Sequence, residues 1–228
     1  MAKITAAEVN NLRKITGAGM MDCKKALQES DGDVEKAIEI LRKKGQKVAS
    51  KRADKEAKEG VVLAKTNNAN NFGVIVLVNC ETDFVAKNED FVKFVQEIAD
   101  KAVESKPKSM EELRAMDLNG RTVEENLTEQ VGKIGEKIEL NGFEYIDAPA
   151  TYGYIHMGNK LATIVGFNKA DVDGIDGIGK EIAMQIAAMN PVAIDKDDVD
   201  KEIIQNNLLI SKEVSFLNQL SKNPQVQI

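Results

Sequence analysis

The feature that most limits how this chain can fold is a hairpin-plus-helix pattern that occurs twice along it. Each copy has two β-rich runs that flank a turn rich in Asn or Gly, and a helix follows the second run. The predicted elements are residues 60–64, 72–78 and a helix after Asn88 in the first copy, and residues 152–157, 161–167 and a helix at 180–189 in the second. Asn71 aligns with Asn159, and Ile98 with Ile186, at a constant separation of 88 positions. The sequence therefore predicts an α+β fold whose core is an internal duplication of antiparallel hairpins with helices.

Amphipathic periodicity predicts a helix in the first copy and another between the copies. After Asn88, the apolar residues that form one stripe at helical spacing are Phe91, Phe94, Val95, Ile98, Ala99 and Ala102. Between the copies, the apolar residues at steps of three or four are Val123, Leu127, Val131, Ile134 and Ile138. We therefore expect an inserted helix over residues 123–138.

The first 45 residues have the pattern of three short helices. Thr5 and Glu8 form a capping box, which predicts the start of the first helix. The glycines of the run 16–19 end this helix. The turn 31–33 separates the second helix from the third. We expect a small three-helix module over residues 1–45. The next segment, 46–59, is rich in Lys, Arg, Glu and Ala, which is typical of a charged linker or an exposed helix.

The composition excludes several classes of protein. The chain has 228 residues, of which 43% are hydrophobic and 30% charged, as in soluble globular proteins. It contains no apolar run long enough to span a membrane, and no apolar leader opens the sequence. Cys23 and Cys80 are far apart and only one histidine is present, which supports neither a disulfide framework nor a zinc site. We expect a cytoplasmic protein without metal or cofactor.

The charge distribution favours a protein partner. The net charge is −6, yet residues 1–60 carry 14 basic and 10 acidic groups, so the acidic excess belongs to the remainder of the chain. Aromatic residues make up 4% and Trp is absent. Nucleic-acid binding favours clustered cations and stacking rings, so we expect no direct contact with nucleic acid and none with membranes.

No motif in the sequence supports catalysis. Residues 174–180 fit the pattern GxxxxGK, but Glu181 stands where a phosphate-binding loop needs Ser or Thr to bring a hydroxyl to Mg²⁺. The pair Gly17 and Gly19 follows a helix and does not form a dinucleotide fingerprint. His156 is expected in the middle of a strand without a nucleophile beside it. The sequence therefore does not predict an enzyme.

The informative segment is 81–88, between the second strand of the first copy and its helix. Phe84 lies there in a polar connection, outside the apolar stripe of the helix that follows. It either fills the seam between sheet and helix or is presented to a partner. At the corresponding positions the second copy has Asp171 and Val172 in place of Asp83 and Phe84. Because the duplicated unit does without this aromatic residue, we favour insertion of Phe84 into a pocket of a partner protein.

Two strings in this sequence resemble the signatures of the bacterial elongation factor Ts family. The first runs from Leu12 to Leu27 and includes Arg13, Met20 and Met21; the second runs from Cys80 to Asn88 and includes the TDFV motif, Thr82-Asp83-Phe84-Val85. The resemblance implies a ubiquitin-associated-like N-terminal module. It also implies that the chain promotes exchange of GDP on elongation factor Tu, and that it binds this partner in both the GDP-bound and the nucleotide-free form.

The resemblance also implies roles for individual residues. Asp83 and Phe84, flanked by Thr82 and Val85, would intrude near the Mg²⁺ and phosphates of the partner. The other partner contacts implied are Arg13, Met20 and Met21 on the nucleotide-binding domain and His156 on the third domain. Since methionines at a helix start are commonly core residues, we expect at least one of Met20 and Met21 to be buried.

The resulting domain division has four parts. Residues 1–45 form the ubiquitin-associated-like module, 46–59 the charged linker, 60–140 core subdomain N with the TDFV motif and the inserted helix, and 141–228 core subdomain C. The family's helical hairpin is missing or shortened here, and residues 213–219 resemble its late strand. Two alternative functions stay open: a GTPase that uses residues 174–180 and an adaptor built on residues 1–45.

Overall fold

The computed structural model describes residues 4–194, 196–199, 201–202 and 204–205. Its helices are α1 Ala6–Thr16, α2 Met20–Glu29, α3 Val34–Arg52, α4 Asp83–Ala86, α5 Glu89–Ser105, α6 Met110–Ala115, α7 Val123–Ile134 and α8 Ile175–Met189. Its strands are β1 Glu59–Thr66, β2 Phe72–Cys80, β3 Asp117–Leu118, β4 Arg121–Thr122, β5 Glu139–Asp147, β6 Ala150–Ile155 and β7 Ala162–Phe167. The chain divides into two compact units, Met1–Ala187 and Ala188–Ile228, and the second contains the end of α8 and a 3-10 turn, Lys196–Asp198. The predicted α+β class is confirmed.

Helices α1, α2 and α3 form the predicted three-helix module around their own apolar core. The capping box is present, because the Thr5 amide donates to Glu8 Oε2 at 2.7 Å and the Glu8 amide donates to the Thr5 hydroxyl. The buried residues of this core are Val9, Leu12, Cys23, Ala26, Leu27 and Ala37. Helix α3 continues to Arg52, so the charged segment 46–59 begins as the last two turns of this helix.

Helix α3 belongs to two apolar cores. Its first half packs in the module core through Ile38 and Leu41, whereas Val48 and Ala49 in its second half pack against the main core. At the crossing with α7, the backbones of Gly45 and Gly132 are in contact, and a Cβ atom on Gly132 would stand 2.8 Å from the Gly45 Cα. Side chains would separate the two helices here, so the absence of side chains at both positions permits their close packing.

The main core lies between a three-stranded antiparallel sheet and helices α5 and α7. The strand order is β1-β2-β5, with Leu63 opposite Val76 and Ile75 opposite Glu144. The predicted helix after Asn88 is confirmed, and every residue of its apolar stripe is buried against the sheet. The expected boundary between residues 140 and 141 falls inside β5, which pairs with β2 of the first copy.

The second copy repeats the hairpin and helix in the predicted order. Strands β6 and β7 form an antiparallel hairpin, and α8 follows and ends at the predicted Asn190-Pro191. The helix begins at Ile175 rather than Lys180, and the Tyr152 hydroxyl donates to Asp176 Oδ1 at 2.7 Å. Residues 213–219, with their resemblance to a late strand, and most of the region of the shortened hairpin lie outside the described residues.

Two sequence predictions about helix and strand limits are wrong. The inserted helix ends at Ile134 and does not reach Ile138, because Gly135 adopts φ 82°, a left-handed conformation that terminates α7. His156 lies one residue beyond the end of β6, in the turn before β7, and not in the middle of a strand. Its backbone pairs with Leu161 and Asn159 to close this turn.

Candidate partner-binding site

The aromatic side chain of Phe84 is presented to solvent. It lies on α4, a single helical turn between β2 and α5, and 83% of its surface is exposed. The next residues on this turn are progressively less accessible, since Val85 is half-buried and Ala86 is buried in the main core. The helical turn is therefore fixed to the core through Ala86 and displays Phe84 away from it.

The residues before Asp83 are held by hydrogen bonds from distant parts of the chain. Thr82 is the N-cap of α4, and its hydroxyl accepts from the Val85 amide and donates to Glu136 Oε1 at 2.7 Å. Glu81 forms an ion pair with Arg52 at 2.8 Å. Sequence reasoning singled out segment 81–88, which includes Glu81, but missed Arg52 and Glu136 as parts of the site, because their contacts join positions far apart along the chain.

Asp83 carries a negative charge next to the exposed ring. Lys87, one turn later, donates to Asp83 Oδ2 at 2.6 Å, and this hydrogen bond and charge hold the pKa of Asp83 below its ordinary value, with a smaller contribution from Lys160. The carboxylate is half-exposed and ionised near neutral pH. Asp83 and Phe84 together present an anion and an aromatic ring on one turn.

The N-terminal module contributes to the same surface. Arg13 and Met20 line an open cleft of about 530 Å³ together with Phe84 and Val85, and Lys133 and Ile134 of α7 lie on its wall. The structure therefore brings residues of both family-like segments, 12–27 and 80–88, together at this cleft. Met21 does not line this cleft. The expectation that one of the two methionines is buried is wrong, because Met20 is 53% exposed and Met21 63%.

His156 lies apart from the cleft. It is exposed on the turn between β6 and β7, where the Tyr154 hydroxyl is 2.9 Å from its Nδ1 atom. Met157 beside it is 90% exposed. Lys160 of the same turn pairs with Glu59 at 2.8 Å. The turn exposes an imidazole and a thioether group, beside the half-buried Tyr154 at the end of β6.

The structure also places the GxxxxGK string and the thiol of Cys80. Six residues of the GxxxxGK string, 175–180, are inside α8 and do not form a loop that encloses a phosphate. Burial, with smaller contributions from Glu136 and Glu59, raises the pKa of the Cys80 thiol to about 11, so this thiol is neutral and unreactive near neutral pH. Within the described residues, no group of three or more His, Cys, Asp or Glu side chains is arranged to hold a metal ion.

In the part of the chain that the structure describes, no helix combines the length and the apolar character that crossing a bilayer requires.

Comparisons with known proteins match the segment that contains the site. The family model described as Elongation factor TS matches residues 81–226, beginning at the residue before Thr82. Elongation factor Ts of Christiangramia forsetii is 54% identical over 213 residues, 93% of this chain and 77% of the relative. The proteins of the same name from Flavobacterium psychrophilum and Amoebophilus asiaticus are 52% and 49% identical, over 94% and 92% of this chain and 77% and 76% of the relatives.

Proposed function

The chain belongs to the elongation factor Ts family, and on that premise we propose that it promotes GDP release from elongation factor Tu by presenting Asp83 and Phe84 to the Mg²⁺ and phosphate site of that partner. Membership makes the chain an elongation factor of protein biosynthesis with a role in nucleotide exchange. We further propose that it acts in the cytoplasm, on the GDP-bound and nucleotide-free forms of the partner and without direct contact to nucleic acid or membrane.

The observation that carries this proposal is the exposure of Phe84 on an anchored turn. A large aromatic side chain at 83% exposure contributes little to the fold of the free chain. Its neighbours on both sides are held, Thr82 by Glu136 and Ala86 by the main core. Such an arrangement suits an anchor residue, which fills a pocket of a partner at small cost in conformational entropy.

Exchange requires differential binding. A factor with equal affinity for the GDP-bound and nucleotide-free partner shifts no equilibrium, so some contact must form only when GDP is absent or weakly held. Phe84 supplies this contact if its pocket opens only when the Mg²⁺ site is distorted. The Asp83 carboxylate adds repulsion toward the phosphates of GDP. No covalent bond is made or broken, so the factor is not an enzyme in the chemical sense.

The remaining predicted contacts would provide affinity. Arg13 and Met20 border the cleft beside Phe84 and can dock on the partner's nucleotide-binding domain, with the exposed Met21 next to them. A cation at the rim of an apolar cleft favours an acidic partner surface. His156 lies on a separate accessible turn and would provide an independent contact with the partner's third domain.

The proposal is tested by following fluorescent GDP as it leaves elongation factor Tu. Addition of the full chain should accelerate release in a concentration-dependent and saturable manner. The chain by itself should not bind the labelled GDP, since residues 175–179 are helical. Absence of acceleration would refute the exchange function, and direct binding of GDP to the chain would favour a GTPase instead.

A further inference from the structure

One carboxylate holds the segment that leads into the TDFV motif. Glu136 Oε2 accepts from the backbone amides of Glu81 at 3.1 Å and Thr82 at 3.0 Å. Glu136 Oε1 accepts from the Thr82 hydroxyl at 2.7 Å. Hydrogen bonds to an ionised carboxylate are stronger than neutral ones, so three donors on one carboxylate restrict this segment.

The hydroxyl of Thr82 transmits this restraint to α4. It donates to Glu136 and at the same time accepts from the Val85 amide at 3.5 Å as the N-cap. The bond to Glu136 is the shorter of the two and fixes the rotamer of Thr82. The direction in which α4 leaves the sheet, and with it the position of Phe84, therefore depends on Glu136.

Glu136 is itself placed by α7. The helix ends at Ile134, and the left-handed conformation of Gly135, φ 82°, turns the chain so that Glu136 reaches residues 81 and 82. The close crossing of Gly132 with α3 keeps α7 against the rest of the molecule. The carboxylate is thus attached to a rigid element and not to a loose connection.

A second carboxylate joins the same segment to α3. Glu81 accepts two hydrogen bonds from Arg52 Nη1, at 2.8 and 3.0 Å, and one from the Lys137 amide at 2.6 Å. Arg52 is the last residue of α3, the helix that closes the N-terminal module. The ends of α3 and α7 therefore both hold the segment that carries Asp83 and Phe84.

We propose that Glu136 is a positioning residue for Asp83 and Phe84, with the Arg52–Glu81 ion pair as a second restraint; this inference rests on the proposed exchange function. Glu136 does not touch the partner's nucleotide. It orders the motif before binding, so that insertion of Phe84 does not incur the cost of ordering the segment. Its loss should therefore reduce the maximal rate of exchange more than the affinity supplied by the module.

The test compares Glu136→Ala, Glu136→Gln and the control Glu144→Ala, a change at an exposed position of β5. Amide hydrogen exchange is measured at Glu81 and Thr82, and at Ile98 in the buried face of α5 as a reference for global stability. GDP release from elongation factor Tu is measured over a range of factor concentrations, which separates the maximal rate from the half-saturation concentration.

For Glu136→Ala we expect at least about tenfold faster amide exchange at residues 81 and 82 with little change at Ile98. The maximal rate of GDP release should fall about tenfold, which corresponds to about 1.4 kcal/mol, with a smaller change in half-saturation. Glu136→Gln keeps one acceptor oxygen, so its rates of amide exchange and GDP release should lie between those of Glu136→Ala and the wild type. Glu144→Ala should behave as the wild type.

Three results would overturn the inference. Unchanged amide exchange at residues 81 and 82 would mean that Glu136 does not hold the segment. Faster amide exchange at residues 81 and 82 together with a wild-type maximal rate of GDP release would mean that the restraint by Glu136 does not contribute to GDP release. If amide exchange at Ile98 accelerates as much as at residues 81 and 82 in both Glu136→Ala and Glu136→Gln, Glu136 only stabilises the fold. Failure of the wild-type chain to accelerate release would instead remove the proposed function, while amide exchange would still report whether Glu136 holds the segment.

Discussion

Replacement of Phe84 by Ala should weaken nucleotide exchange and leave folding nearly unchanged. With 83% of its surface exposed, Phe84 retains most of its burial free energy for a partner. Full burial of a phenylalanine side chain is worth about 1.5–3 kcal/mol, which corresponds to about ten- to hundredfold in an equilibrium constant. We therefore expect Phe84→Ala to reduce by this factor the preference of the chain for nucleotide-free over GDP-bound elongation factor Tu.

The assay is GDP release at saturating Phe84→Ala, together with the affinities of the variant for both forms of the partner and its thermal unfolding. The matched control is Val172→Ala, which truncates the corresponding side chain of the second copy at 41% exposure and should leave release unchanged. Wild-type release with Phe84→Ala would refute the reasoning. So would a large loss of stability with release reduced only in proportion to unfolded protein, because Phe84 would then be a structural residue.

Three further perturbations probe the module, the helix crossing and the buried thiol. The double variant Arg13→Ala and Met20→Ala should raise the half-saturation concentration for GDP release about tenfold at an unchanged maximal rate; a fall in the maximal rate alone would contradict an anchoring role. Gly132→Ala should lower the free energy of unfolding in urea by about 1–3 kcal/mol because its Cβ atom meets helix α3, whereas Gly177→Ala, with open space around it, should not lower it. For Cys80, whose folded pKa is raised to about 11, stability in urea should fall as pH rises from about 9 towards 11, since this thiol ionises in that window only in the unfolded chain; a Cys80→Ala variant should show a smaller decline.

Local signals in the sequence identified much of the fold. The capping box of Thr5 and Glu8 and the N-cap Asn88 lie where helices α1 and α5 begin. The β-rich runs of both hairpins became paired strands; those of the first hairpin are longer than predicted, whereas β6 begins and ends two residues earlier than predicted. These signals act over a few residues and depend on backbone geometry that each short segment largely determines by itself.

Strand β5 was not predicted because a bulge hides its pattern. It pairs with β2, but the register shifts between Leu77 and Val78, so that Asn141 has no partner. Its inward residues Leu140 and Phe143 are consequently three positions apart and do not alternate with period two. A search for simple alternation therefore misses this strand.

The candidate site was only partly predictable for a different reason. Phe84 stood out beside Asp83 as an aromatic residue in a polar connection, because the second copy has Val172 at the corresponding position. Glu136 lies 54 positions from Thr82, and Arg52 lies 29 positions from Glu81. No spacing rule relates residues at such distances, and only the packing of α3 against α7 brings them to the segment that they hold.

Because α3 supplies side chains to both apolar cores, the module and the rest of the first compact unit are not separable at residue 45. Melting of the first half of α3 leaves Val48 and Ala49 on a helix that has lost its preceding turns. We therefore expect the two cores to unfold as one cooperative unit. Any hinge motion of the module relative to the main core has to bend α3 itself, since this helix is continuous from Val34 to Arg52.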